Sequence, residues 1–151
     1  MKLPLRCLAL LLFVATALVA SAASTALVTP SSTTYSSAGS SITVTVNLNY
    51  DTTLSALDFS VSTPAASGAW KVPSVVGPNI PQTIPDPEDL GAGGLGFVFT
   101  DIPAHAASFS FTLSYPAGMT GEKVIPYTVN FTDESGKVVT VKAAIRLSPA
   151  A

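Results

Sequence analysis

His105 is the only histidine of the chain, and Cys7 the only cysteine. Acid–base or nucleophilic chemistry at His105 would need a Ser or Asp placed to aim the imidazole, and the loop Ile102-Pro103-Ala104-His105 offers none in sequence reach. No G-x-S-x-G, H-E-x-x-H or phosphate-loop pattern occurs. Paired carboxylates for glycoside hydrolysis would have to come from Asp51, Asp58, Asp101 or Glu122, all beside turns or on wet strand faces where nothing raises one pKa. Asp86, Glu88 and Asp89 cluster in one segment, and Asp101 follows the next apolar run. Calcium wants about six to eight oxygens, and this spacing matches no calcium loop, so the cluster reads as a solvated turn. Trp70 and the tyrosines Tyr35, Tyr50, Tyr115 and Tyr127 have the ring area to stack on sugars. Tyr50, Tyr115 and Tyr127 share the phase of apolar neighbours and read as core, which leaves Trp70 as the one candidate ligand-binding residue. The expectation is therefore a chain with no catalytic residue, no cofactor and no metal, and not an enzyme. Asn130-Phe131-Thr132 matches the glycosylation acceptor pattern, a match too common to assign a function.

The elements that would position these residues are strands. Apolar residues recur at every second place in Ile42, Val44, Val46, Leu48 and Tyr50, with Thr43, Thr45, Asn47 and Asn49 between them. That is a strand with one buried and one wet face. The same period runs through Leu57 to Val61, Leu95 to Phe99, Phe109 to Tyr115, Ile125 to Phe131 and Val139 to Leu147. A first strand around Ala26 to Val28 and short pieces near Trp70 to Val76 bring the expectation to about eight. Half-buried strands separated by Pro, Gly and Ser turns predict an all-β fold, a two-sheet antiparallel β-sandwich, with a barrel as the other architecture. Gly77 to Gly94 is rich in proline and glycine and reads as a surface loop crossing between sheets. In the final hairpin, Gly136 in a left-handed bulge would set Phe131 against Val139, Val129 against Val141, Tyr127 against Ala143 and Ile125 against Ile145. Pro126 would then point outward at an edge or a bulge.

Lys2 and Arg6 precede an apolar run from Cys7 to Ala20, and Ser21-Ala22-Ala23 follows it. That order is a charged n-region, an h-region too short to span a bilayer comfortably, and a small-residue cleavage site. Residues 1–22 read as a signal peptide cut after Ala22 or one residue later, and residues 23–151 as a single β-sandwich domain. Removing the signal takes away the only cysteine, so the domain must rest on its core without a disulfide. It also leaves five basic residues against nine acidic ones, a net charge of −4. No two basic residues are adjacent, which gives no footprint for nucleic acid or anionic lipid, and no membrane span remains after cleavage.

Gly39-Ser40-Ser41-Ile42-Thr43-Val44-Thr45-Val46, Ser55-Ala56-Leu57-Asp58-Phe59-Ser60-Val61 and Tyr115-Pro116-Ala117-Gly118 resemble segments of bacterial extracellular immunoglobulin-like and cohesin-like sandwich domains. The resemblance spans about Tyr35 to Leu147. It implies a secreted module, extracellular or periplasmic, that engages an extracellular or cell-envelope protein, as cohesins engage dockerins; related sandwiches are spacers or carbohydrate-binding modules that take polysaccharide. The tyrosine-aspartate-proline step common after the corresponding cohesin strand is replaced by Ser62-Thr63-Pro64, so no binding residue carries over. The function expected is a non-catalytic binding or structural module, with carbohydrate binding as the alternative. Intact-mass measurement of the exported protein should find its N-terminus at Ala23 or Ser24; a membrane-bound chain starting at Met1 would refute the signal-peptide reading.

Overall fold

The computed structural model describes residues 23–64, 70–84 and 94–151. Residues 1–22 and the cluster Asp86, Glu88 and Asp89 lie outside the described residues. The described chain is all-β: β1 Thr25–Pro30, β2 Thr34–Tyr35, β3 Ser40–Asn49, β4 Leu54–Val61, β5 Lys71–Val76, β6 Gln82–Ile84, β7 Leu95–Val98, β8 Ala106–Tyr115, β9 Lys123–Asp133 and β10 Val138–Pro149. They form a four-stranded sheet, β1-β3-β8-β5, and a six-stranded sheet, β2-β10-β9-β4-β7-β6. Every pairing is antiparallel except that of β2 with β10.

The alternation in the sequence determines which face of each strand is covered. Ile42, Val44, Val46 and Leu48 of β3 are buried and oppose Leu113, Phe111, Phe109 and Ala107 of β8, also buried. Across the interior stand Leu57, Phe59 and Val61 of β4 and Val129 and Phe131 of β9. The centre is aromatic. The ring centroids of Phe97 lie 5.0 Å from Phe111 and 5.3 Å from Phe109, and Phe59 meets Phe109 edge-on at 5.8 Å. Such offset and edge arrangements suit the ring quadrupoles and fill space that rotatable aliphatic chains would fill less rigidly.

The last hairpin has the register its sequence implies: Phe131 with Val139, Val129 with Val141, Tyr127 with Ala143 and Ile125 with Ile145. Gly136 has φ 84°, the Asp133 N–H donates to the Lys137 carbonyl at 3.0 Å, and the Gly136 N–H donates to the Asp133 carbonyl at 3.0 Å. Pro126 is exposed, as expected, but neither bulges the β9–β10 ladder nor lies on an edge strand. Its carbonyl accepts from the Ser62 N–H at 2.9 Å, just beyond the last β4–β9 pair, Val61 with Tyr127. In an antiparallel strand the nitrogen faces the same side as the carbonyl, so the missing donor leaves the Ser62–Pro126 pair with a single bond, where β4 ends and the cost to the ladder is least.

Three expectations need correction. The stretch Gly77 to Gly94 is not all loop, because Gln82–Ile84 forms β6 against β7. Gly96 makes this possible: a Cβ there would stand 2.9 Å from the Ile84 carbonyl oxygen. The two-residue β2 has no periodicity to betray it and pairs parallel to β10, so the six-stranded sheet is mixed. Among the described residues there are ten strands, the short β2 and β6 included, where about eight were expected.

Truncating Phe59 should therefore be costly. Phe59→Ala removes a fully buried ring from the centre of four aromatic neighbours and should destabilise the fold by about 3–5 kcal/mol. Gly77→Ala should destabilise it too, since Gly77 has φ 137° and a Cβ would press within 2.8 Å of the Phe109 Cα. Denaturant melts would read both; near wild-type midpoints would contradict the packing described.

Candidate functional site

The titratable residues are scattered rather than convergent. His105 is exposed at φ 67°, a left-handed conformation that histidine adopts more readily than most residues. Its carbonyl accepts from the Tyr50 N–H at 2.8 Å, which ties the loop to the end of β3, while its imidazole makes no hydrogen bond among the described residues. Asp58 accepts from the Asn130 amide at 2.9 Å on the outer face of the six-stranded sheet. Glu122 pairs with Arg146 at 3.1 Å, both exposed. Asp101 is exposed in a turn. Among the described residues no group of three His, Cys, Asp or Glu side chains is placed to hold a metal ion.

Trp70 lies in the core and not on a surface platform. It is 2% exposed, and its ring packs 6.2 Å from Tyr115. Neither face of the indole is open to a sugar, so the role expected for Trp70 is corrected to packing. The signal for this was Val72, two residues on, which is buried on the same side. Tyr35, Tyr50 and Tyr115 are buried as well, and Tyr127 is half-buried, its ring stacked 5.7 Å from Phe59. Tyr35 donates its hydroxyl to the Gly121 carbonyl at 2.6 Å, and Tyr50 to the Pro103 carbonyl. Burial pushes the Tyr50 and Tyr127 hydroxyls above the usual phenol range.

Two shallow clefts flank the turn after β3. One, of about 200 Å³, is lined by Ser24, Asp51, Leu54, Phe131, Asp133 and Val139; the other, of about 140 Å³, by Tyr50, Leu54, Pro103 and His105 among others. Both are smaller than the roughly 300–1,000 Å³ of small-molecule sites. Beside these clefts the described residues present sheet faces and sheet edges. On the outer face of the four-stranded sheet, hydroxyls and amides bond across strands: Thr45 with Ser110 at 3.0 Å, Ser108 to Asn47 at 2.8 Å and Ser74 with Thr112 at 3.0 Å. Asn79 continues this sheet past Gly77, its N–H donating to the Ser108 carbonyl at 3.2 Å and its side-chain oxygen accepting from the Ser108 N–H at 3.0 Å. The periodicity located these faces but carried no sign of Asn79, which lies in an irregular segment.

No family model and no curated protein matches the sequence. Solved structures match the fold. A cohesin module from a Clostridium perfringens family 33 glycoside hydrolase superposes with a TM-score of 0.56 at 8% identity, covering 84% of this chain and 98% of that one. A type II cohesin domain from the cellulosome of Acetivibrio cellulolyticus gives 0.56 at 12% identity, over 82% and 94%. The major pilin subunit of Bacillus cereus gives 0.56 at 7% identity, over 83% of this chain and 41% of the pilin. The chain thus has the sandwich fold of cohesin modules and pilin domains.

The turn of the last hairpin surrounds one carboxylate with hydrogen-bond donors. The Asp133 side chain accepts from the Ser135 hydroxyl at 2.6 Å and from the Ser135 and Lys137 N–H groups, each at 2.9 Å. These bonds, the Ser135 hydroxyl foremost, hold its carboxyl below the usual range. With the folded pKa below the unfolded one, the contribution is present above the ordinary aspartate range and is lost as pH falls through the lowered folded value. Amide exchange protection at Ser135 and Lys137 should fall on acidification through that window, and Asp133→Ala should abolish the pH dependence; an unchanged profile would contradict the assignment.

Proposed function

We propose that this chain works outside the cytoplasm as a non-catalytic β-sandwich module, one domain over residues 23–151 after loss of its signal, that engages an extracellular or cell-envelope protein. The observation that carries the proposal is where the aromatic area goes. Every aromatic side chain among the described residues is buried or half-buried, so the outer surface offers backbone edges, hydroxyls and amides rather than stacking rings. Protein partners are engaged through such sheet edges and faces. The likeness to cohesin modules, and the protein partner that the sequence resemblance implies, support the same reading. Carbohydrate binding depended on an open Trp70, and that ring is enclosed.

Immobilised mature chain should retain protein from cell-envelope material of the producing cells. Retention should vanish when the envelope is first treated with protease and survive periodate oxidation of its glycans. His105→Ala should bind like wild type, and neither should hydrolyse polysaccharide or ester substrates. Retention on insoluble polysaccharide that resists protease would overturn the proposal in favour of a carbohydrate module.

A further inference from the structure

β10 forms most of one margin of the six-stranded sheet, and its pairing pattern shows which backbone groups are left over. The Lys137 carbonyl accepts from Asp133, on the β9 side, while the Ser148 N–H donates to the Thr33 carbonyl, on the opposite side. Because N–H and C=O of one residue point together and alternate along an antiparallel strand, Val139, Val141, Ala143, Ile145 and Leu147 bond to β9. Val138, Thr140, Lys142, Ala144 and Arg146 point the other way. Among the described residues no strand pairs with them, since β2 reaches only Ser148 and Pro149.

The other margins are blunted. β1 ends in Pro30, β5 contains Pro73 and a register shift, and β6 is three residues long and follows Pro81. The ten residues of β10 in register with β9, Val138 to Leu147, contain neither proline nor bulge. It is also incompletely covered: Val138 is 53% exposed, Val139 is 39% exposed, and Ala143 is exposed. β1, the corresponding margin of the other sheet, comes near β10 and buries Ala26 and Val28 only in part.

Charge decides what fits there. Four of the five basic residues after residue 22, Lys123, Lys137, Lys142 and Arg146, lie on β9, β10 or their turn. Arg146 is matched by Glu122, and Asp133 is engaged within its own turn. Lys142 makes no ion pair among the described residues. A second β10 paired about Lys142 or Ala144 would set Lys142 against Lys142 or Arg146 of the other copy, and a lysine on an open edge is a usual guard against such self-pairing. The same lysine favours a strand with a carboxylate opposite it, so that one side chain rejects like and admits unlike.

We infer that the open edge of β10 is a strand-addition site for an extended segment of a partner protein, with acidic side chains on the outer side opposite Lys142 and apolar ones on the inner side beside Val139, Val141 and Ala143. This rests on the protein-binding reading above and names the site and the chemistry of that partner.

The test uses the exported protein and two soluble nine-residue peptides, one alternating valine with glutamate and the other alternating valine with lysine. The acidic peptide should protect the amides of Val138, Thr140, Lys142 and Ala144 from exchange, and the basic one should not. Lys142→Glu should weaken the acidic peptide about tenfold and favour the basic one. Ala144→Pro, which removes an edge-facing donor and spares the β9 ladder, should weaken both variants of the contact while leaving the denaturant midpoint near wild type. Protection elsewhere on the molecule, equal affinity for the two peptides, no binding of either at millimolar peptide, or concentration-dependent self-pairing through β10 would each overturn the inference. Failure here with envelope protein still retained would leave the protein-binding reading standing and move its site; loss of both would remove the reading itself.

Discussion

The whole structure depends on a period of two being held in phase across two sheets. With the only cysteine at position 7, no disulfide can staple residues 23–151, and the large side chains must meet between the layers or the chain has no core. Phe59, Phe97, Phe109 and Phe111 come from three strands of both sheets, and each can reach the others only if β4, β7 and β8 keep their registers. A slip of one residue would turn Ser108 and Ser110 inward and the phenylalanines to water. The outer faces could then be left to Ser, Thr and Asn, and the charged fraction could stay at 11%, well under the roughly 25% of ordinary domains.

Much of this was legible wherever the alternation ran for five or more residues. β3, β8, β9 and β10 and the hairpin register through Gly136 follow from the spacing of apolar residues and one turn glycine. Short elements were not legible, for a physical reason: two or three residues do not make a period. β2 exists because the chain passes beside Ser148, and β6 because Gly96 lets the Ile84 carbonyl approach β7. Trp70 was ambiguous for a related reason: it precedes β5, and a shift between Lys71 and Ser74 breaks the period within that strand.

The candidate site was less legible than the fold. Side chains able to do chemistry, His105 above all, are the natural things to seek in a sequence, yet His105 engages the fold through its backbone carbonyl and Asp58 bonds Asn130 on a sheet face. The feature of greatest consequence is a row of backbone groups on β10, and backbone groups carry no letter in a sequence. It emerges only when the pairing partners of every strand are known, together with the prolines and short lengths that protect the other three margins. A long edge is ordinarily guarded by charge against a second copy of itself, and Lys142 supplies that guard on β10.

The most direct measurement is native-state amide exchange along β10 in the free protein. Val139, Val141, Ala143, Ile145 and Leu147 should be strongly protected by β9, while Val138, Thr140, Lys142, Ala144 and Arg146 exchange at rates near those of an unstructured chain. Equal protection of both sets would mean that the edge is already filled, contradicting the account.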